Sequence, residues 1–181
     1  MSERQTVAEH LAGTEERARK ELVWGMARES PAPHCDHQIV VGRVFRMLAA
    51  HADLCGLGTV LVSPVDVVLD EANALVLQPD IVYVALARAH IMRDRVWGAP
   101  DLVVEVLSPG TRRRDTLLKR RWYQQYGVRE YWIVDPFVKQ VEVSTMSDRG
   151  RMGSRMAQGD ELLKSEVLTG FSQPAGVCFV Q

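Results

Sequence analysis

The heptapeptide Asp101-Leu-Val-Val-Glu-Val-Leu107 decides the fold class, because it places a carboxylate in the middle of an apolar run. The apolar run predicts a β-strand buried on both faces, which is typical of α/β proteins. An isolated carboxylate at Glu105 would lose its hydration there and would strongly destabilise the fold. We therefore expect a metal ion, a cationic partner or a retained proton beside Glu105.

A second acid occupies the same kind of setting, since Asp80 begins the apolar run Gln78-Pro-Asp-Ile-Val-Tyr-Val84. Two carboxylates on two buried strands predict one shared site for a hard cation. Oxygen ligands in that number, with room for water, suit Mg²⁺ or Mn²⁺.

A basic helix is predicted over residues 111–127, directly after the strand that carries Glu105. Asp115, Lys119 and Tyr123 are spaced i, i+4 and i+8, so they share one face of that helix. Because the intervening loop is short, Lys119 can fold back over the acid-bearing end of the strand. Two carboxylates with a nearby lysine are the groups that metal-dependent phosphodiester hydrolysis requires.

The spaced motifs of the chain resemble those of the Uma-type restriction endonucleases, a family of the PD-(D/E)XK nuclease superfamily. The motifs are Pro79-Asp80, Pro100-Asp101-Leu-Val-Val-Glu105-Val-Leu-Ser108-Pro109, Asp115/Lys119/Tyr123 and Gly127-Val-Arg-Glu-Tyr-Trp-Ile-Val-Asp135. Several motifs in a fixed order are far more specific than any one of them. The resemblance runs from roughly residue 21 to the C-terminus and implies a restriction-endonuclease-like α/β core, with a central mixed β-sheet flanked by helices.

The resemblance also implies the roles of the central residues. Asp80, Glu105 and Lys119 would be catalytic, and the two carboxylates would hold the metal together with the backbone carbonyl of Val106. The usual lysine of the superfamily lies two residues after the glutamate, where this chain has Leu107. The resemblance therefore implies that the lysine has moved to the following helix, as Lys119.

Four further residues are candidates for an accessory role. Glu21 lies in a segment that resembles the first strand of the family, and His37 at a position that resembles its helix start. Asp115 and Tyr123 share the helix face of Lys119. For Glu21, an ordinary surface glutamate at a strand end is an equally good interpretation.

A cluster of basic residues surrounds the predicted helix and gives the chain a candidate nucleic-acid surface. Its arginines are Arg112, Arg113, Arg114, Arg120 and Arg121. Beside two buried acids, such a patch can steer a phosphate backbone toward Glu105. The alternative is a solvated helix face, which is what most charge runs are.

These observations predict a divalent-metal-dependent phosphodiester hydrolase, specifically a DNA endonuclease. The alternative is a catalytically silent nuclease-like module that binds nucleic acid or another partner, which Leu107 and the lack of a recognisable DNA-reading segment keep open. We also expect a homodimer, because cutting two strands requires two active centres and a two-fold dimer supplies both. The choice between DNA and RNA stays open at this level.

Composition sets the outer limits. The chain has 181 residues, 46% of them hydrophobic, and a formal net charge of −1. We expect a polar lead over residues 1–20, helical or disordered, followed by one domain over residues 21–181. The three cysteines are scattered, which favours free thiols in a reducing cytoplasm. No segment has the composition of a signal peptide or a membrane span, so we expect no membrane partner.

The predicted elements alternate between strands and helices. Strands are expected at 21–28, 59–62, 65–69, 78–84, 101–107, 131–134 and 138–144, helices at 37–51 and 113–126, and a hairpin or loop at 147–160. The cluster His34-Cys35-Asp36-His37 offers possible zinc ligands. A closed zinc site draws its ligands from separate elements, so Asp36 is instead predicted to cap the helix.

Overall fold

The computed structural model describes residues 4–12, 19–30, 32–108, 113–146 and 152–179. Within these ranges the chain forms three α-helices, which are α1 (Val7–Ala12), α2 (Cys35–Cys55) and α3 (Arg113–Gln125). The strands in these ranges are β1 (Arg19–Val23), β2 (Met26–Ser30), β3 (Gly58–Val62), β4 (Val67–Asp70), β5 (Leu75–Leu77), β6 (Ile81–Ala85), β7 (Val96–Trp97), β8 (Leu102–Val106), β9 (Glu130–Asp135), β10 (Gln140–Met146), β11 (Met152–Gln158), β12 (Leu162–Lys164) and β13 (Ser172–Pro174). Short 3₁₀ helices span Leu86–Ile91 and Ala175–Cys178.

A six-stranded mixed sheet forms the centre of the fold, as the sequence predicts. Its order is β11-β10-β9-β8-β6-β3. Strands β8 and β9 run parallel, and the other neighbouring pairs are antiparallel. A parallel pair needs a crossover connection, and α3 lies in the segment between β8 and β9.

Both faces of the central sheet are covered. On one face, Val40, Val44 and Leu48 of α2 pack in a core with Tyr83 and Val104 from β6 and β8. On the other face, the intervening strand residues join a second core with α3 and with a five-stranded sheet of order β2-β1-β5-β4-β7. Because both faces of β6 and β8 are buried, these strands need continuous apolar runs, which is the feature that identified them in the sequence.

Helix α2 is longer than predicted and begins differently. It extends to Cys55, and Gly56 ends it in a left-handed conformation with φ 61°. The residue at its N-cap is His34, whose side chain makes no capping bond. The prediction that Asp36 caps the helix is therefore wrong, since Asp36 lies within the first turn.

The expected single strand at 21–28 is also wrong. The chain forms a hairpin of β1 and β2, and its turn is Trp24-Gly25 with φ values of 53° and 81°. The apolar residues on both sides of this turn read as one run in the sequence. Strand β5 is not among the predicted strands, and the expected hairpin or loop at 147–160 contains β11, which pairs with β10.

The N-terminal segment contributes to the core of the five-stranded sheet. Helix α1 buries Val7 and His10, and Val7 packs with Leu22, Val68 and Val76. The three cysteines are free, with Cys178 buried and the other two exposed. Across the described ranges, no helix is long and apolar enough to cross a membrane.

Candidate active site

The register of β6 and β8 brings the two predicted acids together. These strands are antiparallel neighbours in which Ile81 is opposite Val104. The same register, continued by one residue, places Asp80 opposite Glu105. Residues in opposite positions of an antiparallel pair project to the same side of the sheet. Both acids are buried, with Asp80 2% and Glu105 7% exposed. Asp80 Oδ2 accepts a hydrogen bond of 2.8 Å from the backbone N–H of Val106, which ties the acid to the neighbouring strand.

Lys119 of α3 supplies a positive charge at this point. Its Nζ lies 3.0 Å from Glu105 Oε1 and 2.7 Å from Glu21 Oε1. Burial by itself would lower the pKa of Lys119, but attraction to Glu105 and to Glu21 outweighs burial and raises the pKa above its usual value. Lys119 is therefore a protonated cation held between two carboxylates.

Glu21 reaches the site from β1, a strand of the five-stranded sheet. The oxygen that contacts Lys119 also accepts a hydrogen bond of 3.0 Å from the backbone N–H of Gln78. The Gln78 side chain donates to Asp66 Oδ1 at 2.7 Å, and Arg95 forms an ion pair with Asp66 at 3.2 Å. This buried network fixes the loop that precedes Asp80.

Neither Asp66 nor Gln78 is among the site residues predicted from the sequence. A signal was available, because an amide directly before Pro79 in a buried segment needs its own hydrogen-bond partners.

His37 approaches the acids from the start of α2. The ring is 5% exposed, and its Nε2 lies 3.0 Å from the carbonyl oxygen of Val106 and 3.4 Å from Asp80 Oδ2. Both of these oxygens accept hydrogen bonds, so Nε2 carries the hydrogen. His37 therefore braces the strand end that carries the two acids.

Two tyrosines lie next to Glu105. The Tyr123 hydroxyl donates to Glu105 Oε1 at 3.4 Å, and the rings of Tyr123 and Tyr131 are 5.4 Å apart. Burial, reinforced by the negative charge of Glu105, raises the pKa of Tyr131 well above its usual value. Tyr131 is thus a neutral core residue, 2% exposed.

The predicted nucleic-acid residues have different surroundings. Arg112 lies outside the described residues, as do the side chains of Arg113, Arg114 and Asp115 at the start of α3. Arg120 forms a two-pronged ion pair with Glu142 on β10, with N–O distances of 2.7 Å and 3.2 Å. The Arg121 side chain is exposed to solvent.

Asp101, the acid of the second Pro-Asp motif, has a separate environment. Its carboxylate accepts hydrogen bonds from the backbone N–H of Ala85 and from Arg88. Asp101 directly precedes β8, and these bonds join it to the last residue of β6 and to the following 3₁₀ helix. Asp101 and Glu105 therefore lie at opposite ends of β8.

Within the described ranges, no three side chains of His, Cys, Asp or Glu are grouped to hold a metal ion. The donor set of the candidate site is of another kind, with two buried carboxylates and the Val106 carbonyl. A carbonyl oxygen has two lone pairs, so the bond from His37 leaves one available. This arrangement can attract a hard cation, and Lys119 can face an anion beside it.

Comparisons with known proteins identify the family and the fold of the chain. A family model described as "Uma2: Putative restriction endonuclease" matches residues 7–176. A crystal structure of "a putative nuclease belonging to DUF820" from Anabaena variabilis has the same fold, with a TM-score of 0.81 and 16% sequence identity over 96% of each chain. The search of curated proteins found no match. Because the family model spans most of the chain, the protein belongs to the Uma2 family of putative restriction endonucleases.

Proposed function

We propose that this protein is a divalent-metal-dependent phosphodiester hydrolase that cleaves DNA. The observation that carries the proposal is the convergence of Glu105, Asp80 and the protonated Lys119 at one end of two neighbouring strands. The family description favours DNA as the substrate. The charges also suit a phosphodiester, which needs a cation on its oxygens and an activated water.

The donor set fits Mg²⁺ or Mn²⁺. Mg²⁺ commonly takes one or two protein carboxylates and keeps several waters, so it needs no cage of three acidic side chains. Asp80, Glu105 and the Val106 carbonyl would hold the ion. When bound, such an ion lowers the pKa of a coordinated water and screens the phosphate.

Lys119 would stabilise the transition state. Its ammonium is already charged and already oriented, so little reorganisation is needed as negative charge develops on the phosphate. Glu21 lies 2.7 Å from the lysine, so it would continue to hold the ammonium when Glu105 binds the metal ion. In this interpretation Glu21 positions Lys119, and His37 positions the Val106 carbonyl and Asp80.

The substrate would reach the site through charge and symmetry. The arginines of the basic cluster would steer the phosphate backbone, and Arg121 is exposed on α3. A two-fold dimer would place one centre on each DNA strand.

A cleavage assay tests the proposal. Purified protein is incubated with supercoiled plasmid, single-stranded DNA and RNA, in Mg²⁺, in Mn²⁺ and in EDTA. We expect nicking or linearisation of DNA that requires the metal, and loss of cleavage in Glu105→Gln and Lys119→Met. The exposed Glu71→Gln and Lys164→Met are matched controls that should retain full activity. Loss of cleavage in the two site variants alone also excludes a contaminating nuclease. Metal-independent binding to DNA without cleavage in any condition would instead favour the silent binding module.

A further inference from the structure

A cavity of about 240 Å³ lies beside the candidate active site. It opens between the start of α2 and the ends of β8 and β9, and its lining includes His37, Leu107, Pro136 and Phe137. Asp80, Glu105 and Lys119 do not line this cavity, and the proposed cleavage reaction does not require it.

The side chain of His37 separates the cavity from two of the candidate metal ligands, Asp80 and the Val106 carbonyl. His37 lines it and at the same time contacts the Val106 carbonyl at 3.0 Å and Asp80 at 3.4 Å. Leu107 directly follows Val106 in the chain and also lines it. A group bound here would therefore be adjacent to a phosphate held at Asp80 and Glu105.

The lining is partly apolar and partly polar, since it includes the acidic Asp36 as well as Lys139, and one of its apolar side chains is an exposed aromatic ring. Leu107 and Phe179 are buried, whereas Phe137 at the rim is 62% exposed. The turn that carries Phe137 is ordered by Asp135, whose Oδ1 accepts a hydrogen bond of 2.9 Å from the Phe137 N–H. Lys139, in the same turn, adds a positive charge to the lining. An ordered, exposed aromatic ring beside a cation is the usual platform for stacking a base of a nucleic acid.

The ring of His37, which lines the cavity, carries an unsatisfied polar atom. His37 is 5% exposed, and its Nδ1 is buried without a hydrogen-bond partner among the described residues. Leaving such an atom unpaired destabilises the free protein.

We propose that this cavity accepts a single unpaired nucleobase of the substrate strand, next to the phosphate that is cleaved. The proposal rests on the proposed nuclease function. The volume of the cavity lies below the range of about 300–1,000 Å³ that is typical of sites for larger ligands. The cavity therefore has room for one base and not for a base pair. The base comes either from single-stranded DNA or from a duplex by extrusion, for which unpairing costs a few kcal/mol.

The first test uses free nucleotides in EDTA, so that it does not depend on cleavage. Labelled protein is titrated with dAMP and with deoxyribose 5-phosphate, which has the same sugar and phosphate but no base, and the dissociation constants are obtained from NMR shifts. We expect dAMP to bind at least about fivefold more tightly, which corresponds to about 1 kcal/mol and to the lower end of base–aromatic stacking. Phe137→Ala should remove this difference. Val138→Ala is the matched control, because Val138 is 61% exposed in the same turn but does not line the cavity.

The second test identifies the source of the base. A short strand carrying several 2-aminopurines is mixed with protein in EDTA, alone and as a duplex. If the Phe137-dependent fluorescence change occurs in the single strand but not in the duplex, the cavity takes a base that is already unpaired. A change in both the single strand and the duplex indicates extrusion of a base from the duplex. Equal binding of dAMP and deoxyribose 5-phosphate, unchanged dAMP binding in Phe137→Ala, or no fluorescence change in either arm would overturn the proposal. Selective dAMP binding by a protein that cleaves nothing would refute the nuclease function and leave the base pocket in place.

Discussion

Lys119 Nζ lies 3.0 Å from Glu105 Oε1, although the lysine belongs to helix α3 and the glutamate to strand β8. In the motif that the sequence resembles, a lysine lies two residues after the glutamate on the same strand, whereas here the cation beside Glu105 comes from α3. Position 107 is instead a leucine that packs in the core, 7% exposed. The same charge is thus delivered from a neighbouring element, and the strand end stays apolar.

Lys119 should govern catalysis and not metal affinity. We expect Lys119→Met to lower cleavage about 10²- to 10³-fold, the usual cost of removing one transition-state donor. Lys119→Arg should rescue poorly, because a planar guanidinium does not fit the space of an ammonium between two carboxylates. Metal binding, measured by calorimetry with Mn²⁺, should be lost in Glu105→Gln and nearly unchanged in Lys119→Met. Equal loss of metal in the two variants would contradict this division of roles.

The pH dependence of cleavage should show no contribution from deprotonation of Lys119. Its raised pKa keeps it charged beyond the usual lysine value of about 10.4, so its ion pairs persist below that pH and are lost only at strongly alkaline pH. Rates measured between about pH 6 and pH 9.5 should therefore give parallel profiles for the wild type and Lys119→Arg. An inflection that is present in the wild type and missing in Lys119→Arg would mean that the lysine acts as a base.

Glu21 should position Lys119. Glu21→Gln keeps the shape of the side chain but weakens a charge-assisted bond, and such bonds contribute about 1.5–3 kcal/mol. We expect cleavage to fall roughly tenfold or more, with little change in the substrate concentration at half-maximal rate. Glu29→Gln is the control, since Glu29 lies on the other strand of the same hairpin and is exposed. If both variants behave like the wild type, Glu21 has no role beyond the fold.

The basic cluster should give DNA binding a steep salt dependence. Each phosphate contact adds a log–log slope of about −0.9 on duplex DNA, so Arg112→Ala/Arg113→Ala should flatten the slope by about two units. Arg120→Ala should behave differently, because Arg120 is engaged with Glu142 and its loss should affect stability more than the slope. Filter binding over a salt series measures both variants. An unchanged slope in the double variant would mean that the helix start is merely solvated.

A homodimer is expected to use the outer edge of the central sheet. Strand β3 is the last strand of that sheet in the described ranges, and its Val62 is 38% exposed. Leu86, which directly follows the neighbouring strand β6, is 67% exposed. Exposed apolar edge strands favour pairing with another copy. Light scattering at micromolar concentration should give a dimer for the wild type and a monomer for Val62→Lys. A monomeric wild type would remove the argument.

The two acids could be singled out from the sequence because each breaks a local rule. Asp80 and Glu105 are charges in runs that otherwise read as buried strands, and such residues need a partner. The strands that carry them are neighbours, as expected. The spacing of Lys119 and Tyr123 on one helix face likewise brings both to Glu105.

What the sequence could not give depends on contacts between distant segments. Gln78 and Asp66 matter only because the five-stranded sheet packs against the central one, and no periodicity reveals that packing. The Trp24-Gly25 turn was hidden because a tryptophan with positive φ is rare in a tight turn. The partner of Arg120 lies 22 residues away on β10, so its ion pair with Glu142 could not be distinguished from a free charge.

The two carboxylates that hold Lys119 come from different sheets. Glu105 is in the central sheet, whereas Glu21 arrives with the hairpin of the five-stranded sheet. A chain in which only one sheet has formed therefore lacks half of the lysine's counter-charge. In the proposed nuclease, the charge cluster would be complete only in molecules whose two sheets have already docked.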